Sequence, residues 1–261
     1  MLVVITGASS GIGHALALAY ARHGHTVALV ARRKDRLSQL AQEVKMSGGE
    51  AHIVSADVST EEGAQSVVNT VLADHGTPDV LINNAGRGNY ASVEDTTTEQ
   101  WRSMFAVNVD SAFYLIRGFL PGMKERGTGH IVNVSSVAGA TGFPYNAAYV
   151  SAKHALVGLT AAVRAELIGT DVHATMVAPA GVMTEWGNVT EGGSINDLYK
   201  KAIPKSRVRS RETGKPLAPL FKLMDPQDCA AIIIKAVEEG RSNDVYTHDG
   251  TRDLSVMAIE D

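Results

Sequence analysis

A tyrosine and a lysine four residues apart, Tyr149 and Lys153, carry the clearest chemical potential in this chain. They fall in Ala148–Leu167, a strong helical pattern, where that spacing puts both side chains on one face. An ammonium beside a phenol favours the phenolate and draws the phenol below its reference pKa of about 10. A phenol tuned towards working pH donates a proton well to a carbonyl oxygen. Ser135 and Ser136 end a β-rich run shortly before, and strand ends adjoin helix starts in α/β folds, so a serine hydroxyl can meet the tyrosine there. Asn108, flanked by Val107 and Val109, is an odd residue for a helix interior. From the residues alone it reads as a buried, satisfied amide that kinks its helix.

The elements that must position these groups alternate from the first residue. Strands are expected at Leu2–Thr6, Thr26–Ala31, Ala51–Ser55, Asp79–Asn83, His130–Ser135 and Val172–Ala178, with a short seventh at Val245–Thr247. Helices are expected at Ile12–Arg22, Lys34–Met46, Glu61–Asp74, Glu99–Lys124 (one long or two abutting), Ala148–Leu167 and Asp225–Glu239. Most strands are unbroken apolar runs, which suit parallel strands covered on both faces. The expected fold is therefore α/β: a doubly wound parallel sheet of about seven strands with helices on both faces, in one domain over 1–261. Ligands of such sheets bind beyond the carboxyl ends of the strands. The stretch 184–222 breaks the alternation and reads as an insertion covering that face.

Gly7, Ala8, Ser9, Ser10, Gly11, Ile12 and Gly13 follow the first strand and open the first helix. A phosphate at a helix start needs a tight turn, close backbone approach and free N–H groups, which glycines allow. The segment is read as a dinucleotide site. After the second strand come Arg32 and Arg33, where an NAD enzyme usually holds the ribose with a carboxylate. A guanidinium there grips a 2′-phosphate instead, so NADP(H) is the expected cofactor, with Arg32 the first choice and Arg33 the second. Asp57, followed by Val58, either accepts from the adenine amino group or shapes its turn. Asn83 either serves adenosine or braces neighbouring strands, while Asn84, Ala85 and Gly86 let the backbone approach the nucleotide.

With TGASSGIG at 6–13, NNAG at 83–86, Asn108, VNVSS at 132–136, YVSAK at 149–153 and PAGVMT at 179–184, the chain resembles the short-chain dehydrogenase/reductase family, in its compact single-domain branch. The resemblance implies a Rossmann-type fold and roles by position. Tyr149 is the acid/base; Lys153 lowers its pKa and bonds the nicotinamide ribose; Ser136 orients the substrate carbonyl and stabilises developing negative charge. Asn108 supports a water that links Lys153 to solvent. Pro179, Val182 and Thr184 hold the nicotinamide end, although Ala180 stands where the family usually has glycine. The reaction implied is hydride transfer between a nicotinamide and a ketone, aldehyde or secondary alcohol. A 3-oxoacyl thioester reductase is the runner-up, and a non-catalytic NADP(H)-binding regulator is the alternative from another class. The resemblance also suggests a homodimer or homotetramer.

Substrate walls are sought in Arg87–Val93, Ala138–Asn146 and Met183–Lys222, where Phe143, Tyr145 and Trp186 line the site or pack locally with equal plausibility. The basic run from Lys200 to Lys215 reads as a solvated lid, or as an attractor for an anionic substrate or carrier. The histidines, His14 and His154 included, show no ligand spacing, so no metal is expected. A net charge of -4 argues against nucleic acid as a partner. With 44% hydrophobic residues the chain can build a large core. No run is long enough for a membrane span and none resembles a signal peptide. The lone Cys229 suits a reducing compartment and a small core residue, so the expected location is the cytoplasm.

Overall fold

The computed structural model describes residues 1–192, 195–214 and 223–248. Seven strands, β1 (Leu2–Thr6), β2 (Thr26–Ala31), β3 (Glu50–Ser55), β4 (Val80–Asn83), β5 (Gly129–Val134), β6 (Val172–Ala178) and β7 (Asp244–Tyr246), form one sheet in the order β3-β2-β1-β4-β5-β6-β7. Every pairing is parallel. The chain winds one way from β1 to β3, returns to β4 beside β1, and winds the other way. The β1/β4 boundary is thus the switch point, where helices on opposite faces part and leave a crevice.

Side-chain alternation along each strand sends residues to two apolar layers. Val3 and Ile5 pack with α1 (Gly11–Arg22), α2 (Lys34–Met46) and α9 (Pro226–Glu238) through Leu16, Tyr20, Leu37, Leu40 and Ile233. Val4, between them, faces the other way towards α3 (Glu61–His75), α5 (Ser111–Arg126) and α6 (Ala147–Glu166), meeting Val67, Leu115, Phe119 and Val163. Cys229 is a buried member of the first layer, and burial pushes its thiol up to about 12. It is a packing residue.

Local signals set the helix ends. Thr60 accepts from Gly63 N at 3.1 Å and caps α3. Thr97 and Gln100 form a reciprocal capping box at α4 (Thr98–Phe105). Asp225 caps α9, with Pro226 in its first turn.

The long helical region after β4 is two helices, α4 and α5, joined without a break by a π-helical turn over Ala106–Asp110. Such turns insert one residue into the ladder and often mark functional sites. The stretch expected as a covering insertion holds a short helix, α7 (Trp186–Val189), and a long one, α8 (Ile195–Thr213). Residues 193–194 and 215–222, including Lys215, lie outside the described residues.

Candidate active site

The carboxyl ends of β1, β2, β4 and β5 open onto the crevice. At β1, Gly7 and Gly11 adopt φ of +66° and +57°, a region that side chains avoid. A Cβ on Gly13 would stand 2.5 Å from Gly7 O, so the turn closes only without one. Thr6 holds this turn to β4: its hydroxyl accepts from Asn84 N at 2.9 Å and Ala85 N at 3.0 Å, and Asn84 Nδ2 donates back to Thr6 O at 2.9 Å. Asn83 points elsewhere. Its amide donates to Asn133 Oδ1 at 2.8 Å, and Asn133 donates to Thr160 at 2.9 Å. Of its two readings, the structure shows the brace.

A cavity of about 390 Å³ lies over these ends, lined by Gly7, Ser9, Ser10, Gly11, Ile12, Arg32, Arg33, Asp57, Val58, Asn84, Ala85, Gly86, Thr184 and Trp186 among others. Arg32 extends towards Asp57, at 3.6 Å. Asp57 also accepts from Ser59 N at 3.1 Å and Ser59 Oγ at 2.7 Å, the bonds of a turn aspartate. These bonds, with Arg32, hold its carboxyl below the usual value against the opposing effect of burial, which is the largest single influence. Arg33, the second choice from sequence, is the one that reaches the glycine turn. Its guanidinium donates to Ser9 Oγ at 2.9 and 3.2 Å and to Ser10 Oγ at 2.9 Å.

The chemical groups converge at the inner end. Tyr149 is 8% exposed; Ser136 acts on its phenol against the effect of burial, and Ser136 Oγ accepts from Ala138 N at 3.1 Å. Lys153 is 4% exposed; its Nζ donates to Val134 O at 3.0 Å and lies 5.6 Å from the centre of the Tyr149 ring. Asn108 sits in the π-helical turn. Its Nδ2 donates to Arg87 O at 3.0 Å and Met104 O at 2.9 Å, while its buried Oδ1 has no partner among the described residues. A Cβ on Gly86 would come within 2.6 Å of that Oδ1 and 3.4 Å of Lys153 Nζ, so both polar atoms face the space that Gly86 leaves. The sequence's reading of a satisfied amide is thus corrected: one end is satisfied, and the other faces the space at Gly86 without a partner among the described residues.

The expected lowering of the Tyr149 pKa is also corrected. Burial dominates and raises the phenol to about 12, with Ser136 opposing it; burial alone lowers Lys153 to about 7. A dry pocket favours the uncharged form of each group. The phenol is therefore held protonated across the neutral range, the form that donates.

Pro179 and Val182 are held by backbone contacts and are absent from the cavity lining. Pro179 O accepts from Val137 N at 3.0 Å, and Val182 pairs with Met224 in an isolated parallel bridge. Thr184 packs its methyl against Gly11, and its Oγ1 accepts from Trp186 N at 3.2 Å. Of the three aromatic candidates, Trp186 alone has its ring against Tyr149, 5.4 Å between ring centres. Its second neighbour is Tyr90, at 5.9 Å, which lies in the expected wall segment 87–93. Tyr145 faces α8, with Lys205 Nζ 5.0 Å from its ring centre, and adopts φ +61°, unusual for a bulky residue. Phe143 is half-buried in the segment before α6. Of the two equal readings, Tyr145 shows local packing, and what stands beside Tyr149 is a Trp186–Tyr90 pair. It forms because Gly88 leaves room for the indole, a Cβ there standing 2.5 Å from the Trp186 ring.

Ion pairs tie the covering segment down. Arg87 meets Glu191 at 3.1 Å, and Glu185 meets Arg36 at 2.6 Å and Arg33 at 3.9 Å. Arg36, Arg87, Glu185 and Glu191 carried no motif, since each pair joins residues far apart in sequence. Among the described residues no cluster of three or more His, Cys, Asp or Glu could hold a metal ion, and no helix is long and apolar enough to cross a membrane. His14 pairs with Glu43 at 3.3 Å, and His154 with its own helix carbonyl, Val150 O, at 2.9 Å.

A family model described as short chain dehydrogenase matches residues 1–192. An uncharacterized oxidoreductase of Staphylococcus saprophyticus is 36% identical over 208 residues, 77% of this chain and 84% of that one. L-sorbose reductase from Gluconobacter frateurii, solved with NADPH and L-sorbose, superposes with a TM-score of 0.82 at 28% identity, covering 97% of each chain. A short-chain dehydrogenase/reductase from Burkholderia phymatum, solved with NAD, superposes with a TM-score of 0.80 at 29% identity, covering 95% of this chain and 88% of that one. The neighbours thus include proteins bound to NADPH and to NAD. On the matched sequence and on the shared sheet, this chain belongs to the short-chain dehydrogenase/reductase family of oxidoreductases.

Proposed function

We propose that the protein is an NADP(H)-dependent oxidoreductase that interconverts a ketone or aldehyde and the corresponding alcohol, with Tyr149 as its proton donor and acceptor. The observation that carries this reading is the buried Tyr149 with Lys153 Nζ 5.6 Å from its ring centre, beside Ser136 at the end of β5.

Gly7, Ser9, Ser10, Gly11, Ile12 and Gly13 fit the diphosphate of a nicotinamide dinucleotide, because their compact turn exposes backbone where a Cβ would intrude. Asp57, Val58, Asn84, Ala85 and Gly86 fit its adenosine side, and Thr184 its nicotinamide side. Arg33 at the glycine turn, with no carboxylate at the end of β2, supports NADP(H) over NAD(H). When bound, the nucleotide supplies hydride chemistry.

The chain's own groups manage the proton. Ser136 and Tyr149 both offer hydroxyls to one carbonyl oxygen, which orients it and stabilises charge gathering there. Tyr149 passes its proton to that oxygen. Lys153, in its ammonium form, then offsets the phenolate that remains. A water between Asn108 Oδ1 and Lys153 would satisfy the orphaned oxygen and return the proton. Trp186 and Tyr90 cover the phenol and keep bulk water out. The segment 184–222, in its described part, acts as the substrate cover. Trp101 and Phe113, on α4 and α5, are about two-fifths exposed, at 40% and 43%, which supports self-association through those helices.

The test follows nicotinamide absorbance across a panel of ketones, aldehydes, alcohols and acyl thioesters, with NADPH and then NADH. Turnover of at least one carbonyl is expected, and Tyr149→Phe should lower kcat by about a thousandfold while leaving nucleotide affinity intact. Normal turnover by that variant would refute the assignment.

A further inference from the structure

The arginines of the 2′-phosphate side already hold a counter-ion from the protein itself. Glu185 Oε2 lies 2.6 Å from Arg36 Nη1 and 3.9 Å from Arg33 Nη1. Arg33 is otherwise occupied along one edge, donating to Ser9 and Ser10. All three charged side chains are 40–46% exposed, so an incoming anion can reach them. Glu185 also lines both cavities that meet at the glycine turn, together with Ser9, Ser10, Gly11 and Thr184. An anionic group bound by Arg33 and Arg36 beside the two serines would face this carboxylate at close range, and like charges repel.

Glu185 is joined directly to Trp186, whose ring packs against Tyr149. Displacing the carboxylate therefore pulls on the residue that walls the proton donor. The other end of the same short segment is anchored separately. Glu191 pairs with Arg87, and Tyr90 N donates to Glu191 O at 2.8 Å. A shift at Glu185 is thus bounded on the far side by the Glu191 anchor, with Trp186 between them.

We propose that Glu185 is a specificity-determining latch: it competes with the nucleotide 2′-phosphate for Arg33 and Arg36, and its release repositions Trp186 over Tyr149. This rests on the NADP(H) reading above. A nucleotide that lacks the 2′-phosphate leaves the ion pair closed and Trp186 in place. The two nucleotides would then present different walls to the substrate, beyond any difference in affinity.

The test uses two small probes, adenosine 2′,5′-bisphosphate and 5′-AMP, against wild type and Glu185→Gln. Both are read by fluorescence in a Trp101→Phe background, where Trp186 is the sole indole. Wild type should bind the bisphosphate more tightly than 5′-AMP, and the bisphosphate alone should change the Trp186 emission. Glu185→Gln should bind the bisphosphate roughly three- to tenfold more tightly, with 5′-AMP unchanged, because a half-exposed ion pair is removed from the competition. Its Trp186 emission should be shifted before any probe is added and respond little afterwards. Equal affinity of wild type for the two probes would overturn the cofactor reading, and the latch with it. A retained wild-type preference, with Glu185→Gln binding the bisphosphate no more tightly or less tightly, would overturn the latch alone. The same emission change from both probes would do so too.

Discussion

The hydroxyl of Ser135 donates to the Lys153 carbonyl at 3.2 Å, whereas that of Ser136, one residue on, accepts from Ala138 N at 3.1 Å and acts on the Tyr149 phenol. Extended backbone at Ser136, with φ -169°, sends consecutive side chains to opposite sides. One serine ties β5 to the backbone of α6, and the other faces the phenol. Ser136→Ala is expected to lower kcat by roughly a hundredfold or more, since it removes a donor at the developing oxyanion. Ser135→Ala should cost about 1 kcal/mol of stability and leave kcat within a few fold. Denaturant unfolding and steady-state kinetics on both variants separate the two roles; equal kinetic losses would contradict the division.

Gly86 is sterically obligatory. Its missing side chain leaves the space faced by Asn108 Oδ1 and Lys153 Nζ, and a Cβ would press within 2.6 Å of the amide oxygen. Gly86→Ala is expected to cost about 1–3 kcal/mol by overpacking and to reduce turnover sharply. Gly142→Ala, where a Cβ meets nothing within 4 Å, should be silent in both assays. Thermal melts of the pair give the comparison, and an unaffected Gly86→Ala would show that the amide has room to move.

Arg33 and Arg32 should separate by function. Arg33→Ala is expected to weaken NADPH binding by roughly ten- to a hundredfold, as loss of a charge-assisted contact to phosphate does, and to leave NADH alone. Arg32→Ala should have a smaller effect, because Arg32 extends towards Asp57. Nucleotide titrations of both variants would expose a reversed order.

His130 makes stability depend on acid. It is buried, shares a 2.8 Å hydrogen bond with Thr175, and lies 5.6 Å from the ring of His173. Burial, then the neighbouring histidine, lowers its pKa from 6.5 to about 4. Because the folded value is below the unfolded one, the unfolded chain binds more protons between them. Stability is therefore intact above pH 6.5 and falls as pH drops towards 4, by on the order of 3 kcal/mol if the whole window is crossed. Urea unfolding at a series of pH values should show this slope, and His130→Gln should flatten it. An unchanged slope in the variant would assign the acid sensitivity to other groups.

Much of the architecture was legible in the residues because parallel strands buried on both faces are continuous apolar runs. Leu2–Thr6, Thr26–Ala31, Lys34–Met46 and Val172–Ala178 stand as expected, and the other expected elements differ by a residue or two at their ends, whereas the bounds of α7 and α8 were not foreseen. The motif groups, from the glycine turn to Tyr149 and Lys153, could be found because each is local: its residues are neighbours in sequence and their spacing sets their geometry.

What the chain alone determined was the set of groups and the elements that carry them. The protonation state of those groups was decided by tertiary structure, since burial depends on what folds over a side chain; hence a phenol raised to about 12 where a neighbouring lysine suggested the reverse. The same holds for the partners of Arg33 and Arg36. Glu185 reaches them from 149 residues beyond Arg36, a separation over which no periodicity or spacing carries information. Only the packed fold brings that carboxylate to the glycine turn, and only there do its charge and its link to Trp186 acquire meaning.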